Sequence, residues 1–74
     1  MATIIERLAA IETRYDENGV DDALSKELHE VVFLILLNYN NTEELYYARE
    51  LYDQNEDDDK IFYQLLFTAQ KTIF

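Results

Sequence analysis

The scarcity of chain breakers is the feature that most restricts the fold of this sequence. The 74 residues include no proline and a single glycine, Gly19, and these are the residue types that most often interrupt secondary structure. Apolar residues recur at intervals of three and four, as in Ile4, Leu8, Ile11 and Tyr15. That period is typical of an amphipathic helix, whereas a half-buried strand alternates. The sequence therefore predicts an all-α protein.

Capping residues divide the chain into four predicted helices. Thr3 and Glu6 have the spacing of a capping box, and Gly19 is expected to supply the left-handed residue that follows many helix ends. Residues of the N-cap type precede the other helices, namely Asp21 or Asp22, then Asn41 or Thr42, then one of the aspartates at 57–59. The predicted helices span residues 3–18, 21–38, 42–54 and 58–73.

Short turns between these helices favour an antiparallel arrangement. Connections of about three to five residues place consecutive helices side by side in opposite directions. We predict a single domain, residues 1–74, folded as a small up-down-up-down four-helix bundle. Its core should be the apolar stripes of the helices: Ile4, Leu8, Ile11, Tyr15; Leu24, Leu28, Val31, Val32, Ile35, Tyr39; Leu45, Ala48, Leu51, Tyr52; Ile61, Phe62, Leu65, Leu66, Ala69, Ile73.

Acidic residues concentrate at the first and third turns, which lie at the same end of such a bundle. Of sixteen acidic residues, nine are there: Asp16, Glu17, Asp21, Asp22, Asp53, Glu56, Asp57, Asp58 and Asp59. The helix dipole favours acids at helix starts but disfavours Asp16, Glu17 and Asp53, which lie toward helix C-termini. We therefore expect these nine residues, the acidic surface, to steer the protein toward a basic partner. The alternative is a solvated face that caps helices.

A second group of residues is apolar yet lies off the predicted core stripes. Phe33 and Leu37 lie opposite the stripe of the second helix, and Tyr63, Phe67 and Phe74 fall within about 40° of one another on the fourth. We expect all five toward the end opposite the acids. They either fold over the core of one chain or form a homodimer or partner interface.

The charge balance excludes several classes of partner. A formal net charge of −10 repels nucleic-acid phosphates and anionic lipid headgroups, so direct binding to nucleic acid or a membrane is disfavoured. The longest apolar run, residues 31–37, is far shorter than the ~20 residues that span a bilayer. The first residues do not show the basic start followed by a long apolar stretch that is typical of a secretory leader. The expected location is cytoplasmic.

Residues for metal binding or for a cofactor are scarce. Cysteine is absent and there is one histidine, so a zinc site cannot be assembled. Asp53, Asn55 and Asp57 match the first ligand positions of a calcium loop, but Asp58 replaces its glycine and Gln64 its closing glutamate. No cofactor and no metal site are predicted.

A catalytic triad can be drawn from Ser25, His29 and Asp22 on one helical face. It lacks an oxyanion hole and a pocket, which carry much of the rate in such enzymes. We interpret His29 as a surface residue near Lys26 and Glu30, and we predict that the protein is not an enzyme.

In length, acidity and lack of catalytic residues the chain resembles the phage-encoded DNA mimics, among them anti-CRISPR proteins, restriction inhibitors and uracil-glycosylase inhibitors. The resemblance implies a phage anti-defence inhibitor that occupies the nucleic-acid-binding surface of a protein. An immunity protein or antitoxin that neutralises a basic nuclease would follow the same charge logic. The other class of function is a helical homodimerisation or adaptor module that uses the apolar residues.

Overall fold

Four helices make up the regular structure of the described chain. A computed structural model describes residues 3–55 and 58–74. The helices are α1 Ile4–Asn18, α2 Asp22–Asn38, α3 Glu43–Gln54 and α4 Asp59–Ile73. The all-α prediction is confirmed. Each predicted range exceeds the observed helix by one residue at its start, because the prediction included the N-cap residue.

Three of the four predicted caps form as side-chain hydrogen bonds. Both bonds of the capping box between Thr3 and Glu6 are present. The carboxylate of Asp21 accepts a hydrogen bond of 2.7 Å from the amide of Leu24 at the start of α2. At α3, Thr42 occupies the N-cap position without a side-chain cap bond, and Asn41 before it has a positive φ of 57°.

Gly19 ends α1 in a conformation that favours glycine. Its φ is 73° and its ψ is −164°, a region of the backbone map that is essentially restricted to glycine. The predicted positive φ is present, but ψ differs from that of a left-handed helical residue. The amide of Gly19 donates to the carbonyl of Tyr15 at 2.8 Å, so the last turn of α1 closes before the chain turns toward α2.

The helices pack into a flattened molecule. Its principal extents are 31 × 30 × 16 Å, and α2 and α4 each pack against all three other helices. The ion pair between Lys71 and Glu44, 3.1 Å long, joins the last turn of α4 to the first turn of α3. That contact is the one expected where consecutive helices run in opposite directions.

The buried core contains most of the predicted stripe residues. Those that are buried are Leu8, Ile11, Leu24, Leu28, Val31, Val32, Ile35, Leu45, Ala48, Tyr52, Phe62, Leu65, Leu66 and Ala69. The prediction was wrong for Tyr39 and Leu51, which are 37% and 39% exposed. Tyr39 follows the end of α2 with extended backbone, so it leaves the helical stripe. Leu51 borders a groove beside Gln64 and Thr68 of α4 instead of entering the core.

Candidate functional site

The end of α1 and the start of α4 meet through the side chain of Tyr15. The Tyr15 hydroxyl donates to the carbonyl oxygen of Asp59 at 3.4 Å. Its ring stacks on Phe62 with the centroids 5.3 Å apart and lies 5.8 Å from the ring of Tyr63. These contacts bring the turn after α1 close to the turn before α4.

The start of α2 and the end of α3 are joined to the same place by Tyr52. This residue is fully buried, and its hydroxyl donates to Oγ of Ser25 at 2.9 Å, which satisfies the polar group that burial would otherwise strand. The ring of Tyr52 meets Phe62 edge to face at 5.7 Å. Tyr15, Phe62 and Tyr52 therefore connect the helix ends that flank the first and third turns.

The described carboxylates of the acidic surface are gathered around these helix ends. All of them are exposed: Asp16, Glu17, Asp21, Asp22, Asp53, Asp58 and Asp59. Glu56 and Asp57, which the sequence analysis also assigned to this surface, lie outside the described residues. The structure shows that the acids of the two turns are close together, because the end of α1 and the start of α4 contact one another directly.

Two of these acids, Asp21 and Asp58, are N-caps of helices. Asp21 caps α2 through the amide of Leu24. Asp58 caps α4, where one carboxylate oxygen accepts from the amides of Lys60 at 3.0 Å and Ile61 at 3.2 Å. Caps of this kind stabilise a helix by about 1 kcal/mol. The acidity of these two positions is therefore accounted for by helix formation.

Apart from Asp53, which contacts His29, the remaining acids are not paired with basic side chains of the described chain. The ion pairs of lysine and arginine lie elsewhere, between Arg7 and Glu27 or Glu30 and between Lys71 and Glu44. Within residues 3–55 and 58–74, none of the following has a lysine or arginine nitrogen within 4.0 Å: Asp16, Glu17, Asp22, Asp59. Their charge therefore stays available to a partner.

Acids from both turns act on a single group, the hydroxyl of Tyr15. Burial raises the pKa of Tyr15 above its ordinary value of 10.0, and the carboxylates of Asp59 and Asp16, followed by Tyr63, raise the pKa further. Nearby negative charge disfavours the phenolate. Asp16 from the first turn and Asp59 from the third are thus part of one electrostatic environment.

His29 is more constrained than the sequence analysis predicted. It is half-buried, its Nε2 lies 2.8 Å from a carboxylate oxygen of Asp53, and its ring packs 5.4 Å from that of Tyr52. Its Nδ1 lies 2.9 Å from the carbonyl oxygen of Ser25, whereas Oγ of Ser25 accepts from Tyr52. His29 therefore ties α2 to α3 beside the acidic surface; its side chain remains partly exposed, and Asp53 is a partner that was not expected from the sequence.

The five apolar residues off the core stripes are exposed, so they do not fold over the core. Phe33 is 54% exposed, Leu37 65%, Phe67 55% and Phe74 85%. Tyr63 is 49% exposed, but it lies beside Tyr15 at the acidic end, whereas the sequence analysis placed it at the opposite end. The reason is its position along the helix: Tyr63 is the fifth residue of α4 and so lies near the acid-rich start, beside the ring of Tyr15.

Phe33 and Leu37 border a groove of about 570 Å³ between α2 and α3. We call it the α2–α3 groove; its apolar lining is Phe33, Leu36, Leu37, Tyr46 and Tyr47. Thr42, Glu43 and Arg49 supply its polar groups. Tyr47 and Arg49 were not expected from the sequence to belong to any site. The only signal was a pair of adjacent tyrosines on a short helix whose core stripe occupies one face.

Residues 3–55 and 58–74 contain neither a metal-binding cluster nor a membrane-spanning helix. No group of three histidine, cysteine, aspartate or glutamate side chains within residues 3–55 and 58–74 is arranged to hold a metal ion. None of the described helices combines the length and the apolar character needed to cross a membrane.

Comparison with protein-family models, with curated proteins and with solved structures finds no match for this chain.

Proposed function

We propose that this protein is a non-enzymatic inhibitor or modulator that binds the basic, nucleic-acid-binding surface of a partner protein through its acidic surface, in the manner of a DNA mimic. The observation that carries the proposal is the junction of the two acid-rich turns at Tyr15, whose hydroxyl bonds to Asp59. A phage anti-defence role, such as that of an anti-CRISPR protein, is the setting that the DNA-mimic resemblance suggests.

Electrostatics explains why this junction matters. Charges on a protein surface are screened over about 8 Å at physiological salt, so carboxylates act together on a partner only when they are near one another. Asp16 and Asp59 are both near enough to raise the pKa of Tyr15. A dense negative surface attracts a basic one and speeds association, as phosphates do.

Helix stability alone does not account for the acids at the helix C-termini. Asp16 and Glu17 lie in the last turn of α1, where the dipole disfavours negative charge. Neither has a lysine or arginine within 4.0 Å in the described chain. Residues that cost stability without an internal partner are the ones expected to serve an external partner.

The same acidic surface suits a second role, in which the partner is a nuclease. An immunity protein or antitoxin that covers a basic nuclease would use the same carboxylates, and the identity of the captured partner separates it from an anti-defence inhibitor. The location proposed for either role is the cytoplasm, where proteins that handle nucleic acid are accessible.

The test compares two double variants that each remove two negative charges. Asp16→Asn with Asp59→Asn alters the acidic surface and spares the caps Asp21 and Asp58. The control, Glu30→Gln with Glu50→Gln, removes two exposed acids from elsewhere on α2 and α3, and Arg7, which contacts Glu30, keeps its closer partner Glu27. Wild type serves as bait in a cell lysate, and the partner it retains is purified for titration against all three proteins.

We expect the Asp16 and Asp59 variant to bind about tenfold more weakly or worse at low salt, equivalent to about 1.4 kcal/mol, while the control stays near wild type. Affinity should fall as salt increases, and a DNA duplex should compete for the partner. Binding that is indifferent to salt, or equally weak for both double variants, would contradict charge mimicry.

A further inference from the structure

We propose that the α2–α3 groove is the interface of a symmetric homodimer, with a second copy of this chain as its occupant. The groove exposes large apolar side chains next to one another: Phe33 is 54%, Leu37 65% and Tyr47 69% exposed. Monomeric proteins seldom expose contiguous apolar patches of more than a few hundred Å². Aromatic residues are also enriched at the centres of interfaces.

The charges of the groove point to a second copy. The groove contains one acid, Glu43, and one base, Arg49, and neither forms an ion pair within the described residues. In a two-fold symmetric interface, a contact between one residue and a second residue of the partner is always accompanied by the reverse contact. A second copy whose α3 runs antiparallel to that of the first would bring Glu43 to Arg49 and Arg49 to Glu43, together with a matching apolar surface.

Arg49 is held ready for such a contact. Its guanidinium lies over the ring of Tyr46, with the central carbon 5.1 Å from the ring centroid. Its Nε is buried without a hydrogen-bond partner in the described chain, so a carboxylate of a second copy would have to meet the two terminal nitrogens of the guanidinium. A planar guanidinium that is stacked on an aromatic ring keeps its edges free for a carboxylate.

The position of the groove also favours self-association despite the net charge of −10. Phe33 and Leu37 lie in the second half of α2, whereas Asp21 and Asp22 lie at its start. Phe33 is eleven residues beyond Asp22, about 16 Å along the helix axis, which exceeds the screening distance of about 8 Å. Two copies that meet at the groove would keep their acidic surfaces apart, so the dimer is compatible with the proposed function but does not depend on it.

Exchanging the two charges tests the interface with the purified protein alone. Sedimentation equilibrium over a range of concentrations should give wild type twice its chain mass of 8.8 kDa. Arg49→Glu places two acids against each other, and Glu43→Lys places two bases against each other. Each variant alone should dissociate at least ~10-fold more readily than wild type, which corresponds to the loss of about 1.4 kcal/mol.

An equimolar mixture of these two variants should form a heterodimer, because each supplies the charge that the other lacks. The double variant Glu43→Lys with Arg49→Glu should form a homodimer again. Glu50→Lys is the matched control: it makes the same charge change on α3 outside the groove and should remain dimeric. Far-ultraviolet circular dichroism checks that every variant is folded.

Three results would overturn the proposal. The first is a wild type that stays monomeric at all concentrations. The second is a wild-type dimer that Arg49→Glu and Glu43→Lys leave intact, since the interface would then lie elsewhere. The third is a mixture of the two variants that does not associate more tightly than either variant alone.

Discussion

The hydroxyl of Tyr15 donates a hydrogen bond of 3.4 Å to the main-chain carbonyl of Asp59, residues 44 positions apart in the sequence. The ring below that hydroxyl stacks on Phe62. Through this contact the last turn of α1 and the first turn of α4 become neighbours, and the carboxylates of Asp16 and Asp59 share one region of the surface. The properties of Tyr15 therefore report on the acidic surface.

The ionisation of Tyr15 should occur at higher pH than that of an ordinary tyrosine. Its pKa is raised above 10.0 by burial and then by Asp59 and Asp16. Because the folded state holds the proton more tightly than the unfolded state, this contribution to stability is complete below pH 10 and is lost as pH rises through the folded pKa. The difference between the ultraviolet titrations of wild type and Tyr15→Phe isolates this group among the six tyrosines.

Asp16→Asn with Asp59→Asn should move the Tyr15 titration to lower pH, while the control Glu30→Gln with Glu50→Gln should leave it in place. A Tyr15 that titrates at or below pH 10 in wild type would refute the burial and charge environment described here.

Replacing two acids of the acidic surface, Asp58 and Asp16, should change the free energy of unfolding in opposite directions. Replacing the cap in Asp58→Ala should lower the free energy of unfolding by about 1 kcal/mol. Asp16→Asn should raise it by about 0.3–1 kcal/mol, because the negative charge is removed from the end of α1 where the dipole disfavours it. Urea denaturation of both variants measures the two changes. If both variants were destabilised, Asp16 would stabilise the fold through an interaction other than the contacts described for it.

The turn after α1 should require glycine for backbone reasons alone. A Cβ on Gly19 would meet nothing within 4 Å, so Gly19→Ala should cost about 1–3 kcal/mol through its φ of 73°. A D-alanine at this position adopts the mirror-image region readily and should leave stability unchanged or raise it by about 0.4–1 kcal/mol. Thermal or urea unfolding of a synthetic chain tests the pair. Equal loss with both alanines would mean that the side chain collides with something.

The contact between His29 and Asp53 should couple α2 to α3 weakly. With side-chain exposures of 31% and 51%, the pair should contribute less than about 1 kcal/mol. A double-mutant cycle with His29→Ala and Asp53→Ala measures this coupling through urea unfolding. A coupling well above about 1 kcal/mol would mean that the pair is shielded from solvent more than these exposures indicate.

The helix boundaries could be predicted because their signals are local. The cap of Asp21 bonds an amide only three residues away, and the capping box joins Thr3 to Glu6. The donor and the acceptor of such a bond both lie within a segment of a few residues, so a local pattern is enough to predict it. Thr42 shows the limit, since it occupies the cap position without making the bond.

The two acid-rich turns could be foreseen at one end because short loops force consecutive helices to reverse direction. The same reasoning places Tyr63 at that end, because it is the fifth residue of α4, so the expectation that it lies at the opposite end was wrong. The neighbour that its ring meets could not be foreseen. Periodicity within α4 gives the angle of Tyr63 relative to Phe62 but not the direction in which α4 faces α1, which depends on how the stacked rings of Tyr15 and Phe62 fit.

By itself, the sequence determined the helical class, the positions of the four helices and the concentration of acids at two turns, because these depend on spacing, capping and composition within short segments. The tertiary structure alone decided that His29 meets Asp53, that Leu51 is exposed and that Arg49 lies over Tyr46 beside an apolar groove. Those contacts depend on the relative rotation and tilt of helices that are distant in the chain, which are set by the packing of the whole core.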